Sequence, residues 1–84
     1  MATVEERVRE VTARVLKVDL EQIRPEDNFA ADLGAESVQS IELVASFEDE
    51  FGVDMDEDEA LSVDTVGNAI QFITKVCKEQ GVEV

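Results

Sequence analysis

Val4, Val8, Val11, Val15 and Val18 recur three or four residues apart, the spacing that puts side chains on one stripe of a helix. Thr3 precedes the run, and Glu6 follows it by three residues, the pattern of a capping box. These signals predict a first helix from about Val4 to Lys17. Its valines have modest helix propensity, so packing must hold it. Residues 18–36 repeat at neither the helical nor the strand period. Pro25 disfavours a helical Arg24, while Asp27-Asn28 and Gly34 are turn formers. Leu20, Ile23, Phe29 and Leu33 are apolar within this stretch, which predicts a long loop lying over a core. A second helix is expected over Ser37–Phe51, ended by Gly52. Its core face gathers Ile41, Leu43, Val44, Phe47 and Phe51, and a different arc gathers Val38, Glu42, Ala45 and Asp49. The run DMDEDEALSV, residues 54–63, predicts one short helical turn with Leu61 and Val63 inward. Asp64 is the expected N-cap of a last helix, Thr65–Glu79. Val66, Ala69, Ile70, Ile73 and Cys77 form its stripe, with Phe72 and Val76 beside them and Gly81 closing it. With no strand alternation and no repeat, the fold class is all-α: a small bundle of three main helices plus one short helix. An 84-residue chain is expected to be a single domain spanning residues 1–84.

Composition adds a charge argument. The apolar fraction, 44%, is that of a globular chain, so the acidity does not imply disorder. Twenty-one Asp and Glu face seven Lys and Arg, a net charge of −14. Such a surface repels nucleic acid and anionic membranes, whose phosphates are bound by Lys and Arg. No basic residue occurs from Pro25 to Thr74. Plain solubility is served by mixed signs, whereas one sign over so long a stretch points to partners with basic patches. Cys77 is the one cysteine, so no internal disulfide is available. The opening MATVEERVRE has no apolar signal region, and no window approaches the roughly 18 apolar residues of a membrane span. A monomeric cytoplasmic protein without membrane insertion is the expectation.

Several chemistries are excluded. Without histidine there is neither a Ser-His-Asp nor a Cys-His site, and the usual zinc sites are missing too. Asp54, Asp56 and Asp58 alternate as in a calcium loop, but Glu59 stands where glycine is required and Thr65 where the bidentate Glu belongs. Cys77 lies on a helical stripe and reads as a small hydrophobe rather than a reactive thiol. The expectation is therefore that the chain is not an enzyme, with no catalytic residue and no metal site.

Ser37 opens the second helix directly after Asp32-Leu33-Gly34-Ala35-Glu36. A serine there can cap the helix, or present its hydroxyl for modification. The stretch from Asn28 to Val38, with Ile41-Glu42-Leu43-Val44 after it, resembles the D-x-x-x-x-D-L-G-x-D-S-L hallmark of acyl carrier proteins. The similarity continues through Phe47-Glu48-Asp49-Glu50-Phe51 and Val63-Asp64-Thr65-Val66-Gly67-Asn68-Ala69-Ile70, in register over nearly the whole chain. The resemblance implies a carrier of acyl thioesters on a 4′-phosphopantetheine arm, donated by coenzyme A and attached to Ser37, in fatty acid or related lipid or polyketide synthesis. It implies as partners a phosphopantetheinyl transferase and the acyl-transferring and synthase enzymes, docking at Glu36, Val38, Glu42, Ala45, Glu48 and Asp49. A peptidyl or aminoacyl carrier, and an unmodified acidic interaction module of the same fold, are the alternatives.

Three positions depart from the pattern. Glu36 replaces the usual Asp before the serine, and its longer side chain is the poorer N-cap. Val38 replaces Leu, one methylene less for a partner's pocket, worth about 0.8 kcal/mol if fully buried. Asp56 stands where many members have Pro, which predicts a looser turn before the short helix. The charge yields a first prediction. Self-repulsion among like charges weakens the compact state at low ionic strength, so added sodium or magnesium chloride should raise the melting temperature. A melting temperature indifferent to salt would contradict it.

Overall fold

Thr3 begins the first helix as its spacing to Glu6 predicts. Thr3 Oγ1 accepts from Glu6 N–H at 3.1 Å, and Thr3 N–H donates to Glu6 Oε1 at 3.3 Å. The computed structural model describes residues 2–84. In it, α1 spans Val4–Leu16, α2 Ser37–Phe51, α3 Glu57–Leu61 and α4 Val66–Glu79, with a 3₁₀ turn at Leu20–Gln22. The expected all-α bundle of three main helices and one short one is the observed architecture, with no named strand among the described residues. α1 packs against both α2 and α4, and α3 packs against α2.

The core is where the stripes meet. Val8 and Val11 from α1, Leu43, Phe47 and Phe51 from α2, and Val66, Ala69, Ile73, Val76 and Cys77 from α4 are buried. Ile23 and Phe29 join from the long loop, and Val53 from the segment after α2. Thr12 is fully buried as well, its hydroxyl donating to Val8 O at 2.8 Å so that no polar group is stranded. Burial pushes the Cys77 thiol above its ordinary pKa, with the Arg7 charge opposing in part. The sulfur therefore behaves as a packed hydrophobe.

Arg7 joins α1 to the end of α2 in three ways. Its Nε donates to Glu50 Oε2 at 2.9 Å, its Nη2 donates to Glu50 O at 2.7 Å, and its guanidinium lies 4.3 Å from the centre of the Phe51 ring. The carbonyl it takes belongs to the last turn of α2, where backbone acceptors lack helical partners.

Several elements differ from the sequence expectation. α1 stops at Leu16 because Lys17 adopts the left-handed conformation, φ 56°; it is the one non-glycine residue with positive φ among those described. Leu20 stays exposed, because the loop is held by Arg9 donating to the Leu20 and Ile23 carbonyls rather than by Leu20 packing inward. Ile41 is 53% exposed: it stands about 160° round the helix from Leu43, beyond the arc that reaches the core. Leu61 is exposed too, since a helix of five residues presents only one turn to its neighbour. Asp56 does not loosen the turn before α3; it caps that helix, accepting from Glu59 N–H at 3.0 Å.

The last helix begins one residue later than expected, with Thr65 as its N-cap, accepting from Asn68 N–H at 3.1 Å. Asp64 instead accepts from Asn68 Nδ2 at 2.9 Å. That bond, helped by nearby backbone N–H groups, holds its carboxyl below the usual carboxylate value. The stabilisation that follows is present above the ordinary carboxylate pKa and is lost as pH falls through the lowered one.

Arg7→Ala should cost about 1–2 kcal/mol in urea denaturation, from the ion pair, the ring contact and the freed carbonyl. Arg7→Lys should recover less than half, because an ammonium cannot bond the carboxylate and the carbonyl in the same fork. An unchanged midpoint in Arg7→Ala would remove this clamp from the account of the fold.

Candidate functional site

The loop that delivers Ser37 is tied down residue by residue. Asn28 Oδ1 accepts from the N–H groups of Ala30 and Ala31 at 3.0 and 2.9 Å, and Asp32 Oδ2 accepts from Asn28 N–H at 2.7 Å. Leu33 and Ala35 N–H close back on Asn28 O and Phe29 O. Gly34 takes φ 74°, a turn conformation that suits glycine. Phe29 itself is buried in the core, so this polar lattice hangs from an apolar anchor.

Glu36 then stands at the N-cap of α2. Gln39 Oε1 accepts from Glu36 N–H at 3.0 Å, one arm of a capping box between these two residues. The first helical bond runs from Ser40 N–H to Glu36 O at 2.9 Å. α1, α3 and α4 are each capped by a side chain, from Thr3, Asp56 and Thr65. Ser37, the first residue of the helix, is exposed. Its N–H and that of Val38 have no acceptor within the described residues, so donors and the positive end of the helix dipole meet solvent beside the Ser37 hydroxyl.

The helix is two-sided. Leu43, Phe47 and Phe51 are buried, while Val38 is 68% exposed and Glu42, Ala45 and Asp49 are exposed with it. The residues expected to form one outer face, Val38, Glu42, Ala45 and Asp49, therefore do share it. Ile41, which sequence periodicity put on the core arc, belongs to this outer face; a shallow groove runs along Ile41, Val44, Ala45, Glu48, Met55 and Glu57. Glu48 is half-buried, and its Oε2 accepts from Met55 N–H at 2.8 Å, so this carboxylate is partly spent on holding the segment before α3. All fourteen Asp and Glu between residues 25 and 74 lack a basic counterpart there, whereas the seven outside are matched by seven Lys and Arg. The net charge thus belongs to the half of the chain that holds α2 and α3.

Behind α2 lies an apolar cavity of about 50 Å³, bordered by Leu43, Phe47, Met55, Val63, Ala69 and Phe72 among others. Among the described residues no group of three or more Cys, Asp and Glu is placed to hold a metal ion, and no helix is long and apolar enough to cross a membrane.

The phosphopantetheine attachment site family matches residues 6–82. The chain is 44% identical over 75 residues to the acyl carrier protein of Sinorhizobium fredii, covering 89% of this chain and 96% of that protein. The chain belongs to the acyl carrier protein family. The same figures hold for the acyl carrier protein AcpP of Rhizobium meliloti. A solved structure described as an acyl carrier protein from Mycobacterium tuberculosis superposes with a TM-score of 0.81 at 26% identity, covering 87% of this chain and 97% of that one. The group that the family carries is 4′-phosphopantetheine, and the function of its acyl carrier members is to carry acyl groups. The start of α2 fits such a group: an exposed hydroxyl stands beside backbone donors that no protein acceptor takes, the usual setting for a phosphate.

Glu48 gives the site its prediction. Glu48→Ala should speed amide exchange at Met55 and lower stability by about 1 kcal/mol. Glu48→Gln should preserve most of both, because its amide oxygen can still accept from Met55 N–H. Equal exchange at Met55 in all three proteins would show that the bond does not hold this segment.

Proposed function

We propose that Ser37 carries 4′-phosphopantetheine through a phosphodiester at its Oγ. On this reading residues 1–84 work as one carrier domain in the cytoplasm, in fatty acid or related lipid or polyketide synthesis. The observation that carries the reading is the start of α2: an exposed serine is the first residue of the helix, beside Ser37 and Val38 N–H groups that no acceptor among the described residues takes. When attached, the group supplies a terminal thiol that holds acyl cargo as a thioester.

The chain's own residues have separate tasks. The free Ser37 and Val38 N–H groups and the helix dipole steady the phosphate anion. Gly34 and Ala35 keep bulk away from Ser37, so that a phosphopantetheinyl transferase can reach its hydroxyl. Glu36, Glu42 and Asp49 offer charge to basic patches on that transferase and on acyl-transferring and synthase enzymes, and Val38 and Ala45 offer small apolar contacts. Ile41 adds to this face, and Glu48 contributes to it while also holding Met55. Contacts of this kind bring partners quickly and release them quickly. The chain itself is not an enzyme in this scheme: the chemistry belongs to the partners, and the chain contributes presentation.

Intact mass, recorded before and after incubation with coenzyme A and a broad-specificity phosphopantetheinyl transferase, tests the proposal. The chain should gain one phosphopantetheine group and Ser37→Ala none. Val38→Leu should be modified about threefold to fourfold faster at limiting enzyme, the worth of one buried methylene. A gain retained in Ser37→Ala would move the attachment elsewhere. No gain with this enzyme or with the host's own would leave Ser37 as an ordinary helix-start residue and favour the unmodified interaction module.

A further inference from the structure

The turn that precedes Ser37 lies largely in water: Ala30, Ala31, Asp32 and Gly34 are exposed. Packing gives such a segment little support, yet every backbone N–H from Ala30 to Ala35 has an acceptor. Four of these six groups donate to one residue, Asn28. Asn28 Oδ1 takes those of Ala30 and Ala31, at 3.0 and 2.9 Å, and Asn28 O takes those of Asp32 and Leu33, at 2.9 and 3.1 Å. Gly34 and Ala35 close on Ala30 O and Phe29 O.

Asn28 is fixed in its turn. Its N–H donates to Asp32 Oδ2 at 2.7 Å, and its backbone pairs with that of Thr65, the N-cap of α4, in an isolated antiparallel bridge. Asn28 therefore joins the bundle on one side to the turn on the other. The series of satisfied N–H groups runs on to Glu36, whose own is taken by Gln39, and stops at the free groups of Ser37 and Val38. The outer face of α2 is held separately. Val38, Glu42, Ala45 and Asp49 stand on a helix that Leu43, Phe47 and Phe51 anchor in the core.

We propose that Asn28 is a positioning residue for the modification of Ser37: its side-chain oxygen holds the turn so that the hydroxyl stands aligned for transfer. The inference rests on Ser37 as the point of attachment. In that step Ser37 Oγ bonds to the phosphorus of coenzyme A that bears the pantetheine arm. The bond from this phosphorus to the bridging oxygen breaks, adenosine 3′,5′-bisphosphate leaves, and the hydroxyl proton passes to a base of the transferase. Misplacing the attacking atom by about 1 Å can slow such a reaction by about a hundredfold. The outer face of α2 gives a partner affinity without supplying that alignment.

Single-turnover modification, with a broad-specificity phosphopantetheinyl transferase in excess and coenzyme A saturating, separates two quantities. One is the maximal rate, the other the transferase concentration that gives half of it. Lost alignment with an intact outer face lowers the first alone. A lost folded fraction raises the second and leaves the first, because only competent molecules bind. Asn28→Ala should lower the maximal rate about tenfold and keep the half-saturating concentration within about twofold. Asn28→Ser should recover most of the rate, since its hydroxyl oxygen can accept from N–H groups two and three residues on. Asn28→Gln holds its oxygen one methylene too far and should match Asn28→Ala, replacing it if melting shows the alanine protein unfolded. An unchanged maximal rate, with or without a rise in the half-saturating concentration, overturns the proposal and leaves Asn28 a residue of the fold alone. A serine variant no faster than the alanine one overturns it too, because the oxygen is then not what aligns Ser37. No modification of the unsubstituted chain, by this transferase or the host's own, is a different result: it removes the attachment reading first, and this inference with it.

Discussion

Three backbone hydrogen bonds between the long loop and the start of α4 hold the arrangement together. Gly67 N–H donates to Pro25 O at 2.7 Å, Val66 N–H to Asp27 O at 3.0 Å, and Phe29 N–H to Asp64 O at 3.0 Å. Two of these donors are the first N–H groups of α4, which no helix can satisfy internally. The loop thus completes α4 while α4 fixes the loop. Close approach is needed: a Cβ on Gly67 would lie 3.0 Å from Pro25 O, so the seam depends on glycine at that position. Asp27 tightens it from the other side, its buried carboxylate accepting from Arg24 N–H at 2.9 Å. With residues 25–29 held in this way, the turn from Asn28 to Ala35 has a fixed base, and Ser37 is delivered by structure rather than by a free tether.

α2 then divides its circumference between two tasks. Leu43, Phe47 and Phe51 make the bundle, and the opposite side keeps Val38 and Ile41 in water. Exposed β-branched residues ringed by carboxylates contribute little to folding, and they suit a surface covered only in transient complexes. The helix can keep such a face because its other side is anchored at both ends, by the seam near its start and by the Arg7 clamp on Glu50 and Phe51 at its finish.

Periodicity reveals what is regular. The bounds of α2, Ser37–Phe51, and the Thr3–Glu6 box were legible because each rests on local chemistry: spacing, a glycine stop and a reciprocal cap. What stayed hidden depends on distant partners. Nothing near Leu20 announces that Arg9 will hold its carbonyl, and nothing near Gly67 announces Pro25. Ile41 was assigned to the core because the apolar arc on the wheel is wider than the arc that is buried, and Ile41 stands at its far edge from Leu43. Asp64 and Thr65 are both good caps, and the choice fell to Thr65 once Asp64 O was committed to Phe29 N–H. At the site, the exposure of Ser37 and the outer face were readable from sequence. Glu48's bond to Met55 was not, since it needs the segment before α3 in place.

Cys77 bears on the fidelity of thioester chemistry. Acyl groups migrate between thiols by thiolate attack, and a thiol on the carrier itself would compete with any intended acceptor. Here the protein's single cysteine has no accessible surface and a pKa raised by burial, and no histidine is present to deprotonate it. The folded chain offers a thioester no accessible thiol of its own. An acyl thioester therefore meets no competing sulfur from this chain.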